Sequence, residues 1–211
     1  MVKLLVFDVD QTLVVAPKFY RKWYSGSLNA VVEEMRGKTG LNVLQYCREQ
    51  YRGKGELALF ALNIPYSAWA EKLIRAPLDL VKPDLELVEC VRAIKAHKVI
   101  YTGSPRQMAY RLLSQVGFTE SDFELIVGWQ EPEVFPVKWT CSSLAFQAIL
   151  TRFNCTPQDA VSVGDDWSAD LAPAKLLGMQ TAQIGRPDKR ADYAFPTISQ
   201  LLECIGGQSG F

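Results

Sequence analysis

An uninterrupted apolar run, Leu4-Leu5-Val6-Phe7, ends abruptly in the acids Asp8 and Asp10, and this junction constrains the chain more than any other feature. A strand with one wet face alternates polar and apolar residues, whereas consecutive apolar residues suit a strand covered on both faces, as in the middle of a parallel sheet. Parallel strands need crossover connections, so strands and helices should alternate along the rest of the chain. Similar short runs recur at Val99 to Tyr101, Leu125 to Val127, Ala160 to Val163 and Thr181 to Ile184. Helical spacing appears between several of them. Pro83 to Ala96 carries Asp84 near its start and Leu87, Val88, Val91 and Ile94, and Asp170 to Leu177 carries Leu171, Ala174 and Leu177 before Gly178 stops it. The expectation is an open α/β sheet with Leu4 to Phe7 as its first central strand.

Residues 14–80 have a different texture. No buried strand stands out, and apolar positions such as Leu28, Val31, Val32 and Met35 fall at helical intervals. We expect a core domain of residues 1–13 and 81–211, interrupted by a helical domain of residues 14–80 above the carboxyl end of the first strand. The tail from Gly206 to Phe211 should be frayed.

The 211 residues, 48% of them hydrophobic, are enough to bury a full core. Lys and Arg total 23 and so do Asp and Glu, so no net field is available to hold a nucleic-acid polymer or an anionic membrane. Any phosphate must be held locally. The five cysteines are odd in number, widely spaced and without a C-x-x-C pair, which argues against a disulfide framework and a zinc site. Acids follow the apolar amino-terminal run at once, against a signal peptide or membrane helix. These features point to a soluble, cytoplasmic protein.

Two carboxylates at the end of a buried strand are unfavourable to ionise unless a cation or hydrogen-bond donors compensate them. Asp8-Val9-Asp10-Gln11-Thr12 is either such a site or an Asp-rich turn that merely ends the strand. A second apolar strand also ends in acids, Val161-Ser162-Val163-Gly164-Asp165-Asp166, with Asp170 following. Acids at the ends of two parallel strands can converge in the crevice where such sheets bind ligands. An all-oxygen set suits Mg²⁺, which accepts one or two carboxylates, waters and a phosphate oxygen. A third strand ends in Thr102-Gly103-Ser104, whose hydroxyls and N–H groups suit phosphate oxygens or, equally, an ordinary helix cap.

Taken in order, Asp8-Val9-Asp10-Gln11-Thr12, Thr102-Gly103-Ser104, a downstream Lys, and Gly164-Asp165-Asp166 with Asp170 resemble the haloacid dehalogenase superfamily of phosphatases. The resemblance covers nearly the whole chain and implies a Rossmann-like core. The insert looks like the cap of the subclass that carries its lid between the first and second motifs, and Asp170 to Met179 looks most like the pyrimidine 5′-nucleotidase branch. Carried over, the resemblance makes Asp8 the nucleophile that forms an aspartyl-phosphate and Asp10 the general acid and base. Asp8, Asp165 and the backbone carbonyl of Asp10 would hold Mg²⁺. Asp166 and Asp170 would orient metal-bound water and the loop. Thr102, Gly103 and Ser104 would bind the phosphoryl group, with Lys138 balancing charge on the nucleophile and phosphate. Lys138 departs from the family pattern in that Trp139, not Pro, follows it, while Pro132 and Pro136 precede it. The implied substrate is a small phosphorylated metabolite.

Other residues carry less. His97, the single histidine, sits in a polar helix end before a strand, where a cap or exposed role is the natural reading. Phe19, Tyr20, Trp23 and Tyr24 suit the core of a small helical domain or, less simply, a stacking surface for a nucleobase. Arg21 and Lys22 could meet a substrate charge, with a solvated face as the default reading. A dehalogenase on the same fold needs no second acid at Asp10, a phosphomutase would use the same residues, and a non-catalytic binding protein should lack one of Asp8, Asp10 or Asp165. A monomer is the default assembly, although helical caps can dimerise.

Overall fold

The computed structural model describes residues 2–15, 18–38, 42–51, 54–130, 138 and 142–206. The chain forms two compact units, Met1–Val15 with Val81–Phe211, and Ala16–Leu80.

The first unit is an α/β layer structure. Its elements are β1 (Leu4–Phe7), and, after the second unit, α5 (Leu85–Ala93), β2 (His97–Pro105), α6 (Arg106–Val116), β3 (Leu125–Trp129), α7 (Ser142–Arg152), β4 (Ala160–Gly164), α8 (Ala172–Leu176), β5 (Gln180–Ile184), β6 (Tyr193–Phe195) and α9 (Ile198–Gly206). Among the described residues the strands form one six-stranded sheet in the order β3-β2-β1-β4-β5-β6, every neighbouring pair parallel. Strand β1 pairs with β2 on one side, Phe7 opposite Ile100, and with β4 on the other, Phe7 opposite Val163. It is thus central, and its apolar residues are buried whichever face they occupy. Alternation sends Leu4 and Val6 to one face, where they pack with Val99, Tyr101 and Val127 against Ala145, Phe146 and Ile149 of α7. Each such side chain withdrawn from water contributes about 1.5–3 kcal/mol before the entropy of ordering is counted.

The second unit contains α1 (Lys18–Arg36), α2 (Val43–Tyr51), α3 (Gly55–Ala61) and α4 (Tyr66–Ile74). Its core gathers around fully buried Trp69, with Leu28, Val31, Val32, Leu59 and Leu73. The Trp69 ring meets Tyr24 and Tyr66 edge-on, with centroids 4.7 and 5.7 Å away, and its Nε1 donates to Ser27 Oγ at 2.9 Å. Met35, grouped by spacing with the core positions of α1, is instead half exposed. Its last turn outlasts the core it would cover.

Two helices differ from expectation. The one expected from Pro83 spans Leu85–Ala93: Asp84 is its N-cap, accepting from Leu87 N at 3.0 Å, and extended backbone at Ile94 ends it. The one expected from Asp170 begins earlier, as a π-helical turn over Trp167–Leu171, and continues as α8. Of the tail expected to fray, Gly206 closes α9 and residues 207–211 lie outside the described part. Among the described residues no helix is long and apolar enough to cross a membrane.

Candidate active site

The site is built where β1, β2 and β4 end side by side. The ladder runs one residue past β1, since Asp8 N donates to Val163 O at 2.9 Å. Beyond Asp8 the chain folds back: Gln11 N bonds Val14 O at 2.8 Å and Val14 N bonds Val9 O at 2.9 Å, while Gln11 takes a left-handed φ of 62°. Buried Val9, Leu13 and Val14 hold this turn down. As a result the Thr12 hydroxyl donates to Asp8 Oδ2 at 3.3 Å, a use of Thr12 that sequence reasoning missed.

At the end of β4 two acids divide the work. Asp166 turns away from the cluster and caps the π-helical turn, its Oδ1 accepting from Ser168 N at 2.8 Å and Ala169 N at 3.1 Å. That turn swings Asp170 back against the strand, where its Oδ2 accepts from Asp166 N at 2.9 Å and its carbonyl from Ser162 Oγ at 2.8 Å. Gly164 is what makes room. A Cβ there would stand 2.5 Å from Asp170 Cγ and closer still to its Cβ and Oδ2.

Lys138, itself buried, enters the centre. Its Nζ lies 2.6 Å from Asp8 Oδ1 and 2.6 Å from Asp170 Oδ1, and it donates to Tyr101 O at 2.9 Å, with the Tyr101 ring centroid 5.3 Å away. Ligand oxygens of Asp8, Asp165 and Asp170 fall within 4.8 Å of one another. Burial raises the pKa of Asp8, an effect that Lys138 opposes and Asp10 reinforces. Low-dielectric surroundings, then the charges of Asp8, Asp170 and Asp166, push Asp165 up to about 7, although its side chain reaches solvent. Burial likewise carries Asp170 to about 6 against the pull of Lys138. Burial would lower the Lys138 pKa, but Asp170 and Asp8 more than reverse it, so the ammonium stays charged. One lysine therefore faces three carboxylates, an excess of negative charge that a cation relieves. The donor set is all oxygen, which fits a hard divalent ion such as Mg²⁺ and does not favour zinc.

The third strand end is irregular. Between Tyr101, opposite Val127, and Pro105, opposite Trp129, β2 carries two more residues than β3, so Thr102-Gly103-Ser104 bulges out of the ladder. Thr102 Oγ1 accepts from Ser104 N at 3.1 Å. The Ser104 hydroxyl donates to Asp10 Oδ2 at 2.9 Å.

Of the residues singled out by sequence, Asp8, Asp165 and Lys138 come together. Asp10, Thr102, Gly103 and Ser104 lie at the adjoining strand end. The Asp10 carboxylate is engaged by Ser104, and Asp170, expected to orient water and loop, bonds the loop at Asp166 N and also completes the trio of carboxylates. Gln183 was missed: it is buried on β5 opposite Gly164, and its Nε2 donates to Asp165 O. A Gln within the run Thr181 to Ile184, itself read as a buried strand, was the available signal. His97 opens β2 at the end away from Thr102, half exposed, near Phe153 and Glu124. Trp23 is partly exposed and Tyr24 packs on Trp69; the side chains of Phe19, Tyr20 and Arg21, and residues Pro132, Pro136 and Trp139, lie outside the described part.

Over 74 residues the chain is 34% identical to a glyceraldehyde 3-phosphate phosphatase of Pyrococcus furiosus, a match that spans 31% of each chain. The solved structure of a HAD phosphatase from Thermococcus onnurineus matches with a TM-score of 0.64 at 19% identity, covering 99% of this chain and 100% of the other. That of a predicted phosphatase from Clostridium acetobutylicum matches with a TM-score of 0.68 at 17% identity, covering 97% and 98%. At these identities the two structures establish the fold alone. Residues 2–178 match the haloacid dehalogenase-like hydrolase family along its sequence profile, and the chain belongs to that family.

Proposed function

We propose that this protein is a Mg²⁺-dependent phosphatase that hydrolyses a small phosphomonoester through a phosphoryl group carried on Asp8. The observation that carries the reading is the buried Asp8 carboxylate, held at 2.6 Å by Lys138 and gathered with Asp165 and Asp170. Asp8, Asp165, Asp170 and the Asp10 carbonyl are the groups to hold the ion, which when bound neutralises the phosphate and presents it to the nucleophile. Asp8 attacks phosphorus, forming a new P–O bond while the bond to the leaving oxygen breaks. Asp10 gives that oxygen its proton, then takes one from the water that attacks phosphorus and releases Asp8. Lys138 keeps Asp8 oriented and balances charge. The hydroxyl of Thr102, whose lone pair accepts from Ser104 N, has its hydrogen to donate to a phosphoryl oxygen, with Gly103 N beside it.

A second acid next to the nucleophile favours a phosphatase over a dehalogenase. In this reading residues 14–80 form the substrate-selecting cap of the subclass that inserts it after the first motif. A pyrimidine nucleoside 5′-monophosphate is the narrower substrate candidate, on the stretch Asp170 to Met179, and the Pyrococcus relative adds triose phosphates to the same screen. The reading is tested with p-nitrophenyl phosphate. Turnover should require Mg²⁺, stop with EDTA and vanish in Asp8→Asn with the fold intact, and acid-quenched wild type should carry one phosphoryl group on the peptide containing Asp8. Unchanged turnover in Asp8→Asn refutes the covalent route.

A further inference from the structure

A serine 94 positions from Asp10 in sequence holds its carboxylate. Ser104 is almost wholly buried, and its two donors act on two different groups: N–H on Thr102 Oγ1 at 3.1 Å and Oγ–H on Asp10 Oδ2 at 2.9 Å. The backbone fixes both. The bulge in β2 sets Ser104 out of register, Pro105 closes it with φ of −53°, and Gly128 of β3 lies so near that a Cβ on it would meet Ser104 O at 2.8 Å and Arg106 Cα at 3.1 Å. A hydroxyl carried by such a braced loop cannot follow a wandering carboxylate; it selects one rotamer of Asp10 and excludes the others.

We propose that Ser104 is a positioning residue for Asp10, and that its hydroxyl serves proton transfer rather than phosphate binding. The proposal rests on the acid and base role given to Asp10 above. Displacing a catalytic group by about an ångström slows a step by as much as ~10²-fold, and the slowed steps should be those that need Asp10. With p-nitrophenyl phosphate the two chemical steps separate. In the first, Asp8 forms a bond to phosphorus as the aryl P–O bond breaks, and p-nitrophenolate leaves as an anion without a proton. In the second, water oxygen bonds to phosphorus, the bond to Asp8 breaks and Asp10 receives the proton.

The experiment is rapid-mixing kinetics of Ser104→Ala with p-nitrophenyl phosphate and saturating Mg²⁺. A stoichiometric burst of p-nitrophenolate at the wild-type rate constant is expected, followed by a steady state lowered about 10–100-fold, with KM falling alongside kcat. Ser104→Cys, close in size and a weak donor, should behave likewise and carries the measurement if the alanine variant does not fold. A slower burst with a raised KM would mean that Ser104 holds phosphate, and wild-type kinetics would mean that it positions nothing; either overturns the assignment. Wild type without turnover, or Asp8→Asn with it, would instead overturn the phosphatase reading, and Ser104's role with it.

Discussion

Gly164→Ala tests whether the site is braced as tightly as its contacts indicate. The added methyl would sit 2.5 Å from Asp170 Cγ, where ordinary contact needs at least 3.4 Å, so about 1 Å must be found. Strand β4 cannot supply it, being paired on both edges, and Asp170 is bonded to Lys138, Asp166 N and Ser162 Oγ. Overpacking a rigid interior costs about 1–3 kcal/mol, and separating a buried ion pair about 3–5 kcal/mol. A loss of about 3 kcal/mol is the middle of these ranges, a fall in Tm of about 6–12 °C for a chain of this length. Scanning calorimetry measures it, and p-nitrophenyl phosphate turnover should fall by at least ~10²-fold as Asp170 and Lys138 move. Gly26→Ala is the control: nothing lies within 4 Å of its added methyl and it sits within α1, so it should be neutral or stabilise by up to about 1 kcal/mol. The double variant Gly164→Ala with Asp170→Gly should lose less than the sum of its parts, because the added methyl meets Asp170 Cβ, Cγ and Oδ2 and glycine removes all three. An unchanged Tm in Gly164→Ala would refute the claim that Asp170 is pinned.

Lys138→Ala leaves Asp8 and Asp170 without their shared cation and should cut kcat by at least ~10²-fold; a near-normal rate would give the charge-balancing role to another lysine. Mg²⁺ should raise Tm progressively with the logarithm of its concentration, about 2.7 kcal/mol of stability at 100-fold excess over Kd, and Asp165→Asn should shrink that increment; a Tm indifferent to Mg²⁺ would speak against the carboxylate trio as its site. Away from the site, the hydrogen bonds from Arg92 hold the Asp122 carboxyl down at about 2, below its ordinary range. A depressed acid pKa gives stability that is present above about pH 4 and lost as pH falls toward 2. With Arg92 half exposed, Asp122→Asn should cost about 1 kcal/mol at neutral pH by denaturant titration, and the difference from wild type should close near pH 2. A gap that persists at pH 2 would remove the ion pair as its cause.

Much of the fold is local and could be read locally. Leu4 to Phe7, Val99 to Tyr101, Leu125 to Val127, Ala160 to Val163 and Thr181 to Ile184 all lie in strands of the sheet, because a stretch buried on both faces is mostly apolar and each polar side chain in it, Ser162, Thr181 or Gln183, needs a hydrogen-bond partner. The acids at the ends of β1 and β4 were legible for the same reason. Ends were harder. Asp166 and Asp170 look alike in sequence, yet one caps a π-helical turn and the other is carried by that turn to Lys138, a division set by hydrogen bonds among neighbours. Ser104 likewise read as a phosphate ligand from its place after Thr102, and only the added residues of the bulge and the absence of a Cβ at Gly128 direct its hydroxyl to Asp10.

What the sequence by itself determined, then, is the parallel core, the acids at its strand ends and the family they resemble, since each depends on residues adjacent in the chain. Only the tertiary structure decided which carboxylates meet: Lys138 is bonded to Asp170 across 32 positions and to Asp8 across 130, and such distances close only when β1 pairs between β2 and β4. Loops of that length carry no local signal for where they return. Their ends are placed by strand register and burial, and the chemistry is placed with them.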